Sequence, residues 1–461
     1  MGVLEALAWL ADRIPGVAKP AQKPSLYRRL AWTGIILVLY LVMANIPLYG
    51  VPTQAQTRVS LQQIIFASSQ GTLMELGIGP IVTAGLILQV LAGAKLIEID
   101  LSDPEDRRIF TAAQKGLAVL FAIFEATMYV LGCKYWALPP GASPLTGCPV
   151  GWGIRVLVIL QLSLAAILVI IFDEMLQKGW GIGSAISLFI LAGVAQQVMW
   201  GLLGYVPGTV AYGFIPALIQ NPSPLLLTRP NGFPDLTGLL ATLAIIVLLI
   251  YLQAMRVEIP VTSPRMRGIR SKVPLQFMYV TNIPILLVGI LVSDLQLFRN
   301  LFAGLLSPES RALHYYDTLV YYVTPPRGLV MALADPVKTV VFAVSWTIMS
   351  ILFGYMWVEL AGLNPSEQAE RMLSSGLEIP GLRRNPKILE SILARYIYPL
   401  TLLSSILVAI VTIVADVFGA YGTGTGILLA VGIINQYYMM ISYERALETY
   451  PLLRRLLGES V

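Results

Sequence analysis

Residues 59–85 read VSLQQIIFASSQGTLMELGIGPIVTAG. Their first part, 59–70, is apolar enough for a helix but too short to cross the roughly 30 Å of a bilayer's hydrocarbon core. Gly71, Gly77 and Gly79 then lead into an apolar segment of full membrane length. Lipid leaves unpaired backbone groups unsatisfied, so a half-length segment is tolerated only where it lines or blocks a cavity. The stretch therefore predicts a short helix at a cavity, hinged at these glycines.

The rest of the chain is mostly membrane-spanning. Of the 461 residues, 56% are hydrophobic and only 12% are charged, whereas about 25% are charged in a soluble protein. The apolar residues fall in ten blocks of about 20, the length of a transmembrane helix. We therefore expect an all-α polytopic membrane protein, and residues 205–220 are interpreted as loop because prolines and glycines interrupt them. The predicted spans are 30–48, 76–97, 110–132, 153–175, 183–204, 235–255, 273–293, 337–360, 392–414 and 423–442.

Basic residues predict the orientation. With the N-terminus inside, 23 of the 31 Lys and Arg residues lie on the inner side, as the positive-inside rule expects of the cytosolic face. Segments 1–29 and 443–461 are therefore predicted to be cytosolic. No cleavable signal peptide is recognised, and residues 4–14 are interpreted as an amphipathic helix on the membrane surface.

The spans divide into two sets of five. A polar, proline-rich segment, 221–234, is the natural external connector between an N-terminal half, 30–220, and a C-terminal half, 235–442. Membrane transport folds often consist of two such repeats, with the working site at their interface. We therefore expect a central site between the halves.

Two predicted cytosolic loops, 256–272 and 361–389, are long and basic. One interpretation is the positive-inside rule alone. The other is docking onto a polyanion such as RNA, where phosphate contacts position the complex. Charge alone does not separate the two.

Other residues exclude several kinds of chemistry. Cys133 and Cys148 share one predicted external loop, where the spacing permits a disulfide and equally permits two free thiols. The single histidine, His314, belongs to no Cys/His cluster with metal-ligand spacing. No Gly-Lys dipeptide exists, so a Walker A phosphate loop is absent from the sequence. We expect no metal, no cofactor and no catalytic site.

Several motifs, in order along almost the whole chain, resemble the SecY family, the large subunit of the Sec protein-conducting channel, in its archaeal and eukaryotic branch. The motifs are QGTL (70–73), LGIGP (76–80), LQVL (88–91), GWGIGS (179–184), IPGLR (379–383) and GTGTG (422–426). The resemblance implies two pseudo-symmetric five-helix halves around an hourglass pore. The pore opens sideways between the second and seventh spans, and segment 59–70 is its plug.

The resemblance also implies a pore ring and a plug with its hinges. An apolar constriction gates by dewetting and offers a passing peptide no strong binding site. The implied ring residues are Ile78, Val82, Ile186, Ile190, Leu286 and Leu429. The implied plug and hinge residues are Val59, Ile64, Ile65, Phe66, Gly71, Gly77 and Gly79.

A polar lateral gate is the third implied site. Glu125 is the one carboxylate well inside a predicted span, and such residues usually have a partner or face a cavity. The functional interpretation is a latch that yields to a signal helix, and the alternative is a local hydrogen bond between helices. The implied gate residues are Thr83, Glu125, Asp294, Asn282 and Gln89. Asp294 stands where the family usually has asparagine and lies at the end of the predicted seventh span.

The family's partners follow from the same resemblance. They are a small single-pass clamp subunit of the SecE or gamma type, a small peripheral subunit of the beta type, the translating ribosome, signal sequences, nascent polypeptides and the lipid bilayer of the cell membrane. The implied ribosome-docking residues are Arg256, Arg265, Arg383, Arg384 and Lys387. The implied function is passage of unfolded secretory polypeptides across the membrane and release of transmembrane segments into lipid.

Two other classes remain as alternatives. An ion-coupled transporter of small solutes would carry several carboxylate, His or Arg ligands near the midplane, but only Glu125 clearly qualifies. An intramembrane enzyme would need a Ser/His, Cys/His or paired-Asp constellation within its spans, and none is present in the sequence.

Overall fold

The computed structural model describes residues 3–22, 24–52, 67–93, 96, 97, 99, 103–136, 148–205, 212–220, 226–229, 233–262, 270–280, 282–305, 310–374 and 385–449. Most of these residues are helical. Among the described helices, eight are long and apolar enough to cross a membrane. The predicted plug positions Val59, Ile64, Ile65 and Phe66 lie outside the described residues, as do Arg265, Arg383 and Arg384.

Ten helices occupy the ten predicted span positions. In the N-terminal half they are α2 (Leu26–Met43), α3 (Gly79–Gly93), α4 (Pro104–Leu131), α5 (Trp152–Met175) and α6 (Ala185–Leu203). In the C-terminal half they are α8 (Leu236–Ala254), α9 (Ile283–Leu305), α12 (Pro336–Leu360), α14 (Pro386–Val417) and α15 (Gly424–Thr449). Below, the inner side is the side of the N-terminal tail and the outer side is the opposite one.

Shorter helices connect the spans. They are α1 (Val3–Asp12), α7 (Phe214–Gln220), α10 (Arg311–Val323), α11 (Leu329–Ala334) and α13 (Pro365–Ser374), with a π-helical turn at Leu176–Trp180 after α5. The interpretation of 205–220 as loop is therefore wrong for α7. Helix α1 does form, but one face of it packs on α4, where a Cβ at Gly116 would lie 2.1 Å from the Leu7 carbonyl oxygen.

The loop at 256–272 contains a structure that the helical prediction did not include. Strands β1 (Arg256–Thr262) and β2 (Arg270–Gln276) pair antiparallel. Alternation of apolar and polar residues in RVEIPVT favours a strand over a helix. Lys272 also donates to Glu258 across the hairpin at 2.5 Å.

The boundaries of the seventh span were predicted wrongly. Residues 273–280 were assigned to the membrane, but they form the end of β2 and a turn, and α9 continues to Leu305. The prediction failed because a short apolar run has no periodicity that separates a strand from a buried helix. Asp294 therefore lies in the middle of α9 and not at the end of a span.

Helix starts in this chain follow local capping chemistry. Asp103, Asp335 and Asn385 each accept a hydrogen bond from a backbone N–H of the helix that follows. Each precedes a proline at the first helical position, where the missing N–H costs nothing. The starts of α4, α12 and α14 are thus fixed by sequence.

One apolar cluster joins the two halves, with members from most of the spans. The halves also meet on the inner side, where Arg29 at the start of α2 donates to Glu444 on α15 at 2.8 Å. Tyr437 of α15 donates to the Ser184 carbonyl before α6 at 3.0 Å. The start of α2 and the end of α15 therefore lie together on the inner side. The apolar core lies between the two halves.

Candidate functional site

The six predicted ring residues meet in the cluster that joins the halves. Ile78, Ile190 and Leu429 are buried, and the other three are partly buried against the same cluster. They come from the start of α3 and from α6, α9 and α15. Four separate elements therefore contribute aliphatic side chains to the core between the halves. The partly buried members are Val82, Ile186 and Leu286.

Asp173 on α5 positions the α6 part of this ring. Its Oδ1 accepts hydrogen bonds from the Ser184 hydroxyl at 2.7 Å and from the Ala185 N–H at 2.9 Å. A carboxylate at a helix N-terminus satisfies otherwise unpaired N–H groups. The start of α6, and with it Ile186 and Ile190, is thereby held against α5.

The described end of the predicted plug segment lies against α6, beyond Ile190. The Ala67 side chain is 1% exposed, and a Cβ at Gly193 would lie 3.5 Å from the Ala67 Cα. Gly193 is three residues beyond Ile190 on α6, about one helical turn closer to the outer side. Ala67 also accepts a hydrogen bond from the Tyr40 hydroxyl at 3.1 Å.

Two of the three predicted hinge glycines have backbone conformations that favour glycine. Gly71 has a φ of 74° and Gly77 a φ of 54°, a region that costs other L-residues free energy. Nothing lies within 4 Å of a Cβ at Gly71, so its requirement is conformational and not steric. Gly79 begins α3 and has no positive φ.

Three gate residues are brought together from three helices. Glu125 of α4 and Thr83 of α3 are 4% and 7% exposed. The Thr83 hydroxyl lies beside the Asp294 carboxyl of α9, without hydrogen-bond geometry to any group that the structure describes. Asp294 and Lys134 are the charged neighbours of Glu125. Two carboxyl groups and a hydroxyl thus share a buried site between the halves.

The other two proposed gate residues lie elsewhere. Asn282 sits against α15, where a Cβ at Gly432 would collide with its side-chain amide. Gln89 is half-buried on α3, six residues and about 9 Å beyond Thr83 along the helix. Neither is placed with the Thr83, Glu125 and Asp294 cluster.

Sequence reasoning missed a buried ion pair near the hinge. Glu75 is 5% exposed, and its carboxylate accepts a hydrogen bond from the Lys134 ammonium at 2.7 Å. Burial lowers the pKa of Lys134, but Tyr129 and Glu75 outweigh it and raise the pKa, so the ammonium stays charged at neutral pH. A carboxylate inside the apolar GTLMELG run was the available signal, because such a group needs a partner.

The two cysteines lie beside this pair. Cys133 and Cys148 form a disulfide with Cα atoms 6.0 Å apart. Arg155 donates to the carbonyl of Cys148 at 3.1 Å and to that of Val150 at 3.2 Å. The disulfide and Arg155 together hold the loop that follows α4 against the start of α5.

Among the docking candidates, the structure describes Arg256 and Lys387. Arg256 begins β1 and Lys387 lies in the first turn of α14, and both are exposed. They belong to separate inner-side segments.

Comparison with known proteins shows the family of the chain. A family model described as SecY matches residues 72–438, and one described as the plug domain of Sec61p matches residues 38–71. Proteins named protein translocase subunit SecY are 66% identical in Aeropyrum pernix and 46% identical in Saccharolobus solfataricus, with 100% of both chains covered in each case.

Solved structures agree as well. One described as a protein conducting channel matches with a TM-score of 0.79 at 35% identity, covering 96% of this chain and 98% of that one. Sec61 in the canine ribosome-channel complex from the endoplasmic reticulum matches with a TM-score of 0.76 at 33% identity and the same coverage.

The fold defines a class of mostly helical membrane channel proteins built from two five-helix halves, with a plug domain in the N-terminal half. The chain belongs to the SecY family. The resemblance in the sequence and the expected helical architecture are both confirmed.

Proposed function

We propose that this protein is the pore-forming subunit of a protein translocation channel. It passes unfolded secretory polypeptides across the membrane and releases transmembrane segments sideways into lipid. The observation that supports the proposal is that the six aliphatic ring candidates share the core between the halves, with Ala67 of the plug segment against Gly193, one turn beyond Ile190. The ring and the plug are two barriers in series.

The chemistry of the ring suits a polypeptide substrate. Aliphatic side chains offer no fixed hydrogen-bond or charge partner, so they accept any sequence without binding it strongly. When no chain is present, a narrow apolar constriction excludes water and ions by dewetting. A solute transporter would instead need polar ligands at this position.

The Thr83, Glu125 and Asp294 cluster acts as the lateral gate. Polar groups buried between helices hold them together only while they remain paired or shielded. A hydrophobic signal helix that enters between α3 and α9 replaces these contacts with apolar ones. The gate then opens toward lipid.

The inner face is the docking side for the ribosome. Arg256, Arg265, Arg383, Arg384 and Lys387 provide positive charge for ribosomal RNA phosphates, which favour Arg and Lys contacts. Both termini are then cytosolic and the protein resides in the cell membrane, together with small clamp and peripheral subunits. The match to Sec61 in a ribosome-channel complex supports this assignment.

Crosslinking tests the proposal. Single cysteines replace Ile78, Ile190 or Leu286, and a stalled secretory nascent chain carrying one cysteine is treated with a bismaleimide; the native disulfide is inert to maleimide. Controls are cysteines at Leu164 and Val247, which are 60% and 68% exposed on the outside of the bundle. We expect adducts at the three ring positions and none at the controls. Absence of all three adducts would contradict the function.

A further inference from the structure

Glu75 is a buried carboxylate in the turn that joins the plug segment to α3. One carboxylate oxygen accepts from the Lys134 ammonium at 2.7 Å, and the other accepts from the backbone N–H of Gly71. Gly71 is the hinge glycine with φ of 74°. A single side chain thus contacts both the hinge and a neighbouring helix end.

Lys134 is itself held in place. It lies three residues beyond the end of α4, and its ammonium sits 3.6 Å from the centroid of the Tyr129 ring. The adjacent Cys133 is bonded to Cys148, which fixes the backbone on both sides of the loop. Tyr135, the residue after Lys134, is buried with Cys133 and Cys148 in one apolar cluster. The Lys134 ammonium is therefore fixed relative to the outer end of α4, and any movement of that end would move it relative to Glu75.

Apart from the Gly71 N–H, the backbone hydrogen bonds of the turn do not involve this ion pair. Ser69 N–H donates to the Met74 carbonyl at 3.0 Å, and Leu48 N–H donates to the Gly71 carbonyl at 2.9 Å. Replacing a buried ion pair by neutral groups often leaves stability unchanged or raises it, so such a pair is weak evidence for a purely stabilising role. A charged pair does, however, fix geometry, because each buried charge requires its partner.

We propose that Glu75 and Lys134 are a positioning pair that ties the hinge of the plug to the outer end of α4. Since α4 also carries Glu125 of the gate, movement of this helix on gate opening draws Lys134 away from Glu75 and frees the plug. The pair thereby couples the sideways opening to the release of the seal. This inference rests on the proposed function.

The position of the plug can be measured directly. Ala67 Cβ lies 3.6 Å from a Cβ at Gly193, within the range of a disulfide. Ala67→Cys combined with Gly193→Cys therefore reports plug seating through its rate of oxidation by copper phenanthroline. The assay uses the idle full-length protein in vesicles without substrate, and a shift on gels after maleimide-polymer labelling detects the remaining thiols.

Glu75→Gln and Lys134→Met are each expected to slow this oxidation several-fold, because the hinge loses its tie to α4. The double variant E75Q/K134M is expected to be as slow as the slower single variant. The control is E105Q/R108M, which removes the exposed ion pair at the inner end of α4 and should leave the rate unchanged. Equal amounts of each variant in the membrane show that the fold is retained, and the double variant, which leaves neither charge unpaired, should melt at the temperature of the parent.

Two outcomes would overturn the inference. One is an unchanged rate in both single variants. The other is a double variant that recovers the parent rate, because the single variants would then act only by leaving a buried charge without its partner. Failure of the proposed function would appear separately, as missing nascent-chain adducts at the ring in the parent protein.

Discussion

The hydroxyl of Tyr40 on α2 donates a hydrogen bond to the carbonyl of Ala67 at 3.1 Å, while the Tyr40 ring stacks on Phe189 with centroids 4.5 Å apart. One side chain therefore links the first span, the end of the plug segment and the α6 helix of the ring. Replacing Tyr40 by phenylalanine would remove the hydrogen bond and keep the aromatic stacking on Phe189.

Tyr40→Phe should raise the ion leak of the idle protein. The lost hydrogen bond is worth about 1 kcal/mol, which corresponds to roughly a fivefold larger unsealed fraction. Efflux of iodide or dye from vesicles measures this leak. The control is Tyr49→Phe, since Tyr49 is 73% exposed. An unchanged leak in Tyr40→Phe would mean that the hydroxyl does not hold the plug.

An oxidised disulfide between Ala67→Cys and Gly193→Cys should block translocation, because the plug then stays on the ring. Reductant should restore export of a secretory reporter to the level of the unoxidised double variant. Each single cysteine variant, treated with the same oxidant, serves as the control. Continued export with the disulfide closed would show that the substrate path does not pass this position.

Leu286→Asn should loosen the closed state and allow export of a reporter with a defective signal sequence. An amide in the ring admits water to a constriction that otherwise dewets. Leu286→Met keeps the volume and apolar character of the side chain and should keep the defective reporter out. Unchanged export of the defective reporter by Leu286→Asn would count against the ring assignment.

Arg256→Glu and Arg383→Glu should each weaken ribosome binding about tenfold or more while the protein still assembles in the membrane. Phosphate contacts make such binding fall steeply with salt, so a salt titration of ribosome co-sedimentation should show a shallower slope in each variant. Arg311→Glu, an exposed residue on the outer side, is the control. Loss of membrane assembly would indicate a folding role instead.

Gly116→Ala should detach α1 from α4, because its Cβ would lie 2.1 Å from the Leu7 carbonyl oxygen. Backbone cannot yield as a flexible side chain does, so we expect a lower melting temperature and faster proteolysis of the N-terminal segment. Gly34→Ala is the matched control, since nothing lies within 4 Å of its Cβ. Equal proteolysis in both variants would show that α1 does not depend on this contact.

Local and periodic features of the chain were enough to predict much of this fold. Blocks of apolar residues must be helices in lipid because only a helix satisfies its own backbone there. Asp103-Pro104, Asp335-Pro336 and Asn385-Pro386 mark helix starts by short-range capping. The β hairpin and the shifted seventh span were missed, because both depend on a short apolar segment whose conformation periodicity does not decide.

The sequence by itself predicted a half-length segment at 59–70 and glycine hinges after it, because segment length relative to bilayer thickness and left-handed backbone preference are local properties; the structure shows the left-handed backbone at Gly71 and Gly77. Which residues meet was decided by packing. Ile78 and Leu429 reach one cluster, and Glu75 finds Lys134, only when helices distant in sequence are brought together. Residue type alone cannot report such distances, so the packing of the predicted ring residues into one core and the partner of the hinge carboxylate emerged only in three dimensions.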